Sequence, residues 1–138
     1  MIDIGPNLSS EQFTQDLPQV IERAIQANVN GFILTSTDWK SFQKNLQIVE
    51  QYQSKTLIKT TYGLHPHYAH NDHTIFQNIE KVLAYSHIVA LGEFGLDYFR
   101  MLTPKEKQIE YKGKISYLRD MIFQNDKFMK PEQKGNET

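Results

Sequence analysis

Four short apolar runs, each followed by an amphipathic stretch, recur along this chain and leave few folds open to it. The runs are Ile2 to Ile4, "GFILT" from Gly31 to Thr35, "TLIKTTYGL" from Thr56 to Leu64 and "HIVALG" from His87 to Gly92. Each reads as a short buried strand, being brief, apolar and bounded by turn residues. Between the runs, apolar residues fall at helical spacing: Leu17, Val20, Ile21, Ala24 and Ile25, then Phe42, Leu46 and Val49, then Ile75, Ile79, Val82 and Leu83. Parallel neighbours need a crossover, and a crossover helix covers the sheet face, so the alternation predicts βαβ units and a parallel sheet. The runs begin about thirty residues apart, close to the unit length of a (β/α)8 barrel. The expected fold is α/β, the first four β/α units of a TIM-type barrel, truncated, with a helical and then disordered C-terminal tail.

After the fourth run, "TPKEKQ" predicts a helix start in which Thr103 caps, Pro104 occupies the first turn and Glu106 completes a capping box. Tyr111, Ile115, Leu118 and Ile122 continue it as a stripe. A fifth strand is due next, but the chain runs on as "NDKFMKPEQKGNET", polar and broken by Pro131 and Gly135. The expected division is a partial barrel over 1–123 and a polar, disordered tail over 124–138.

The length of 138 residues suits one domain. Lys plus Arg number 15 against 16 Asp plus Glu, a formal charge of −1, so any contact with a polyanion must be local. With no cysteine, a thiolate zinc site and a disulfide framework are excluded, and metal ligands must come from His, Asp and Glu. No run approaches the roughly 18 apolar residues of a membrane span, so the expectation is a soluble cytoplasmic protein with no membrane partner.

Ligands of parallel α/β sheets bind where the strands end at their C-terminal tips. The first strand exits through Gly5, Pro6 and Asn7, the second through Thr35 to Asp38, the third through His65, Pro66 and His67, and the fourth through Glu93 and Asp97. Asp38 suits a helix cap and Asn7 suits a turn. His65, His67, His70 and His73 crowd into "HPHYAHNDH", but Pro66 predicts an extended link that turns neighbouring imidazoles to different sides, against a self-contained metal loop. His87, just before a strand, reads as structural. Glu93 stands out, because a carboxylate at a buried strand end needs a cation or several donors to offset its desolvation. A pairing with Arg100 or a lysine would satisfy it as well. Asp97 reads as a support for its own loop through backbone hydrogen bonds.

Taken together, "MIDIGPNLSS", "GFILTSTD", "YGLHPHYA" and "VALGEFGLDYFR", in this order and spacing, resemble the N-terminal half of TatD-type deoxyribonucleases over about residues 1 to 110. The resemblance implies a (β/α)8 metal-dependent hydrolase of the amidohydrolase type, acting on DNA phosphodiesters with Mg2+ or a similar divalent cation. It implies that Glu93 is a catalytic, metal-bridging acid and that His65 is a pocket histidine near the substrate phosphate. Many members carry a His-x-His pair after the first strand where this chain has "GPN", as the branch nearest TatD itself does. The further metal-binding histidines and catalytic aspartate that the resemblance places after later strands have no counterpart in this chain. The expected function is a metal-dependent deoxyribonuclease with DNA as substrate, its metal weakly held and its activity impaired or absent. The alternative is a non-catalytic half-barrel that covers its open sheet edges by forming a homodimer or by pairing with another chain.

Overall fold

In the computed structural model, which describes residues 1–70 and 74–124, the four apolar runs form the strands β1 (Ile2–Ile4), β2 (Gly31–Leu34), β3 (Leu57–Tyr62) and β4 (Ile88–Leu91). They pair in the order β1-β2-β3-β4, every neighbour parallel. The intervening helices are α1 (Leu17–Gln26), α2 (Trp39–Tyr52), α3 (Thr74–Gln77) and α4 (Ile79–Leu83), and α5 (Lys105–Gln124) follows the last strand. These are four successive β/α units of the (β/α)8 type. The predicted tail beyond Gln124 lies outside the described residues.

The helices cover one face of the sheet. Phe32, Leu34 and Ile58 point into a core with Ile21 of α1 and Ile48, Val49 and Tyr52 of α2. Tyr62 joins a second core with Phe42, Ile75, Val82 and Tyr111. Within it Trp39, Phe42 and Tyr62 meet edge on or tilted, with centroids 4.8 to 6.3 Å apart, a geometry that suits the aromatic quadrupoles. The Tyr62 hydroxyl donates to the Ile75 carbonyl at 2.6 Å, so this buried side chain keeps its polar end satisfied.

Two local expectations change. The single helix read over Ile75 to Leu83 breaks at Asn78, whose Nδ2 donates to the Thr74 carbonyl and so competes with the helical ladder. Thr103 does not serve as the expected capping box, because its hydroxyl donates to the His67 carbonyl and meets His70 Nδ1 at 2.9 Å. Asp38, by contrast, caps α2 as expected: its carboxylate accepts from Ser41 N–H, and the Ser41 hydroxyl faces the Asp38 N–H in return.

What positions the strand tips is a close approach of backbones. A Cβ on Gly63 would lie 1.3 Å from the Gly92 carbonyl oxygen, so only glycine lets the exits of β3 and β4 pack this tightly. Gly92 N–H donates to the Tyr62 carbonyl across the same junction. At the other edge, Gly5 turns the chain out of β1 at φ +98°, in the left-handed region that favours glycine, while its N–H donates to Ile33 O.

Candidate functional site

The four exits converge on an open cleft of about 450 Å³, lined by Asn7 from the first exit, Thr35 and Thr37 from the second, His65 and His67 from the third and Glu93 from the fourth. Behind Thr35 of its lining lies a buried hydrogen-bonded cluster. Asn45 of α2 donates to the Thr35 carbonyl and to Ser36 Oγ, and Ser36 Oγ lies 3.0 Å from Thr60 Oγ1. With every member satisfied, the cluster ties α2 and the exit of β2 to β3.

His65 is held from two directions. Its N–H donates to the Thr37 carbonyl at 2.8 Å, and its Nδ1 accepts the His67 N–H at 3.2 Å. The neutral ring therefore carries its proton on Nε2. Burial lowers the His65 pKa, the neighbouring His67 ring adds to the shift, and Glu93 opposes it. His65 Nε2 lies 3.8 Å from Glu93 Oε1, too far for a hydrogen bond but close enough for both groups to face one ligand. The alternative pairing of Glu93 with Arg100 or a lysine is not found among the described residues; Arg100 instead lines the same cleft.

The expected divergence of His65 and His67 is reversed. Residue 65 is extended, as a residue before proline should be, but Pro66 opens a 3-10 turn over Pro66–Tyr68 that folds the chain back. The two rings end 4.2 Å apart at 76°, both on the cleft. His67 Nε2 lies 2.6 Å from Asp97 Oδ2. Asp97 in turn supports its own loop, its Oδ1 accepting from the N–H groups of Phe99 and Arg100, while Gln108 of α5 bonds both the Asp97 N–H and its carbonyl. These backbone donors, with His67, hold the Asp97 carboxyl down at about 2. His70 binds Thr103 away from the cleft, and His73 lies outside the described residues. The His87 carbonyl accepts from Thr60 N–H, a structural contact beside β3, and its Nδ1 is buried without a partner among the described residues.

A divalent cation needs several converging donors. No group of three or more His, Asp or Glu side chains assembles one among the described residues. Glu93 is the one carboxylate on the cleft lining, and the nearest histidine that could join it is His65. This donor set does not by itself fit a metal ion; it offers one corner of a coordination sphere. Arg100, read from the sequence only as a partner for Glu93, and Tyr68, which the sequence does not single out, both line the cleft. The adjacency of Tyr68 to "HPH" was the available signal, but its side depends on the 3-10 turn. No helix among the described residues is long and apolar enough to cross a membrane.

The same fold and sequence pattern are met in known proteins. A structure of a hydrolase TatD family protein from Entamoeba histolytica matches with a TM-score of 0.76 at 28% identity, over 88% of this chain and 46% of the other. The 3'-5' ssDNA/RNA exonuclease TatD of Edwardsiella piscicida is 36% identical over 118 residues, 84% of this chain and 45% of its own length. The corresponding protein of Shigella flexneri is 37% identical over 109 residues, 78% of this chain and 41% of its own. The chain thus spans a little under half the length of the curated relatives it matches. The family model described as TatD related DNase matches residues 2–114, the segment that builds all four strands and the cleft at their tips, and the chain accordingly belongs to the TatD-related DNase family.

Proposed function

We propose that this chain supplies the cleft-forming half of a metal-dependent nuclease, with a DNA phosphodiester as substrate, Glu93 contributing a carboxylate ligand and His65 meeting the phosphate. The observation that carries the reading is the meeting of His65 and Glu93 at 3.8 Å, from the tips of adjacent parallel strands, inside one open cleft. His65 Nε2–H is directed by its own backbone contacts rather than by substrate, so it stands ready to donate to a non-bridging phosphate oxygen. Arg100 adds a cation for the same phosphate.

A dication, Mg2+ in this reading, would supply activation of water and charge neutralisation if further donors completed its site around Glu93. Held by a single carboxylate it stays largely hydrated and weakly bound. The reading therefore requires donors beyond the four described strands, and the chain alone should cleave slowly or not at all. Cleavage of a labelled single-stranded DNA by the purified chain tests this: Mg2+-dependent turnover lost in Glu93→Gln supports the reading, and turnover equal in Glu93→Gln and wild type refutes it.

A second reading, a half-barrel that pairs with a second copy, is favoured by a different observation. On the sheet face opposite the helices, Ile2, Gly31 and Leu57 form one row and Ile4, Ile33 and Lys59 the next, and Ile2, Ile4 and Leu57 are exposed. Sedimentation of the purified chain tests it, with a defined dimer expected and a compact monomer at high concentration against it.

A further inference from the structure

The Asp97 carboxylate divides its two oxygens between different parts of the molecule. Oδ1 serves its own loop, accepting from the N–H groups of Phe99 and Arg100 at 3.0 Å each. Oδ2 lies 2.6 Å from Nε2 of His67, which is 30 residues away in the chain and on the exit of another strand. Loop support accounts for the first oxygen and leaves the second unexplained. We infer that Asp97, acting through His67, is a positioning residue for His65: it holds the imidazole in the orientation that presents Nε2–H to the cleft beside Glu93. The inference goes beyond the nuclease reading in how His65 is held, and rests on that reading only for the phosphate that His65 meets.

A closed polar circuit runs through His67. Gln108 of α5 accepts the Asp97 N–H at 2.7 Å, and its Nε2 donates to the carbonyls of Asp97 and Thr103 at 3.0 and 2.7 Å. The Thr103 hydroxyl donates to the His67 carbonyl at 3.0 Å, and the His67 ring leads back to Asp97. Gln108 and Thr103 are both buried, so these bonds are made away from water, where a satisfied network is rigid. With its carboxyl at about 2, Asp97 is ionised at neutral pH and its bond to the His67 ring is charge-assisted. His67 is thereby fixed at its carbonyl and at its ring, and only a fixed residue can orient a neighbour. Its N–H donates to His65 Nδ1 at 3.2 Å, and its ring stands 4.2 Å from the His65 ring at 76°. The first contact keeps the His65 proton on Nε2, since the bond that one ring nitrogen accepts decides where the proton sits. The second obstructs rotation of the imidazole. At 3.2 Å the N–H bond is at the long end of the usual range, so it orients the ring weakly unless its donor is held from behind.

The test reads the His65 ring in the full chain, without metal or substrate, by proton–nitrogen correlation spectra at a pH where both imidazoles are neutral. In the wild type His65 should carry its proton on Nε2. Asp97→Asn keeps an oxygen for the Phe99 and Arg100 N–H groups but faces His67 Nε2–H with an amide donor, so the loop stays tied while the charge-assisted bond is lost. The preference of His65 for Nε2–H should then fall by about fivefold, the worth of one neutral hydrogen bond. His67→Phe keeps a ring beside His65 and loses the bond to Asp97, so it should give the same fall. Asp97→Asn added to His67→Phe should change nothing further, because the effect passes through His67. Ile48→Val, a loss in the other core, controls for general loosening and should read as wild type. Circular dichroism verifies the fold of each variant. An unchanged His65 in Asp97→Asn would overturn the inference, as would an equal fall in Ile48→Val or an undiminished further fall in the double variant. The nuclease reading is judged separately: turnover equal in Glu93→Gln and wild type refutes that reading and leaves the His65 result standing. Turnover lost in Glu93→Gln with His65 unmoved in Asp97→Asn overturns the positioning alone.

Discussion

The two faces of the sheet are made by the same four strands and could hardly differ more. On the helix side Leu34 and Tyr62 are fully buried, whereas on the other side Ile4 is 75% and Leu57 52% exposed. The difference follows from connectivity: each crossover helix returns on the same face, so local sequence alone covers that face and contributes nothing to the other. In a closed barrel the second face turns inward and is filled by the other strands. The lesson is that the chain's own crossovers bury one face of the sheet and leave the other bare.

The largest effect should come from breaking the covered face. Phe42→Ala removes a ring that packs on Trp39 and Tyr62, and a loss of about 3–5 kcal/mol is expected in chemical denaturation. A loss below about 1 kcal/mol would mean that the second core is not formed as described. Next is the junction that both faces share: Gly63→Ala drives a methyl into the Gly92 carbonyl, and the strain should cost at least about 1–3 kcal/mol. Histidine resonances of His65 and His67 should shift in that variant, and an unchanged melting midpoint with unchanged resonances would contradict the close approach.

Leu57→Ala sharpens the comparison from the uncovered side. If that face stays bare in solution, its stability should change by no more than about 0.5 kcal/mol. A larger loss that grows with protein concentration would show that a second copy covers it. The smallest effect concerns acid. Because the Asp97 carboxyl is lowered from 3.8 to about 2, its contribution to the loop is complete above pH 3.8 and lost as pH falls through about 2. Asp97→Asn should therefore melt below wild type at neutral pH and converge with it at about pH 2; parallel curves over that range would remove Asp97 from the loop's support.

Much of this was legible in the residues. The strand runs at Ile2, Gly31, Leu57 and Ile88 and the cap at Asp38 are local, fixed by periodicity and by one side chain reaching its own backbone. So were the four exits on which the cleft is built, since a parallel sheet puts every C-terminal tip at one end. The break at Asn78 was hidden because an amide that bonds back to Thr74 leaves the apolar spacing intact. The duty of Thr103 was hidden because its partners, the His67 carbonyl and His70, come from a distant loop.

The sequence by itself determined the alternating units, their parallel order and the residue types at each strand tip, because these depend on side-chain period and on the need of parallel strands for crossovers. Only the tertiary structure decided which of those residues meet. His67 comes back beside His65 through a 3-10 turn and is held by Asp97, and Gly63 admits the backbone of Gly92. The reason is physical: such meetings depend on distances of a few ångströms between segments far apart in the chain, set by the packing of whole strands and helices, and no local pattern encodes them.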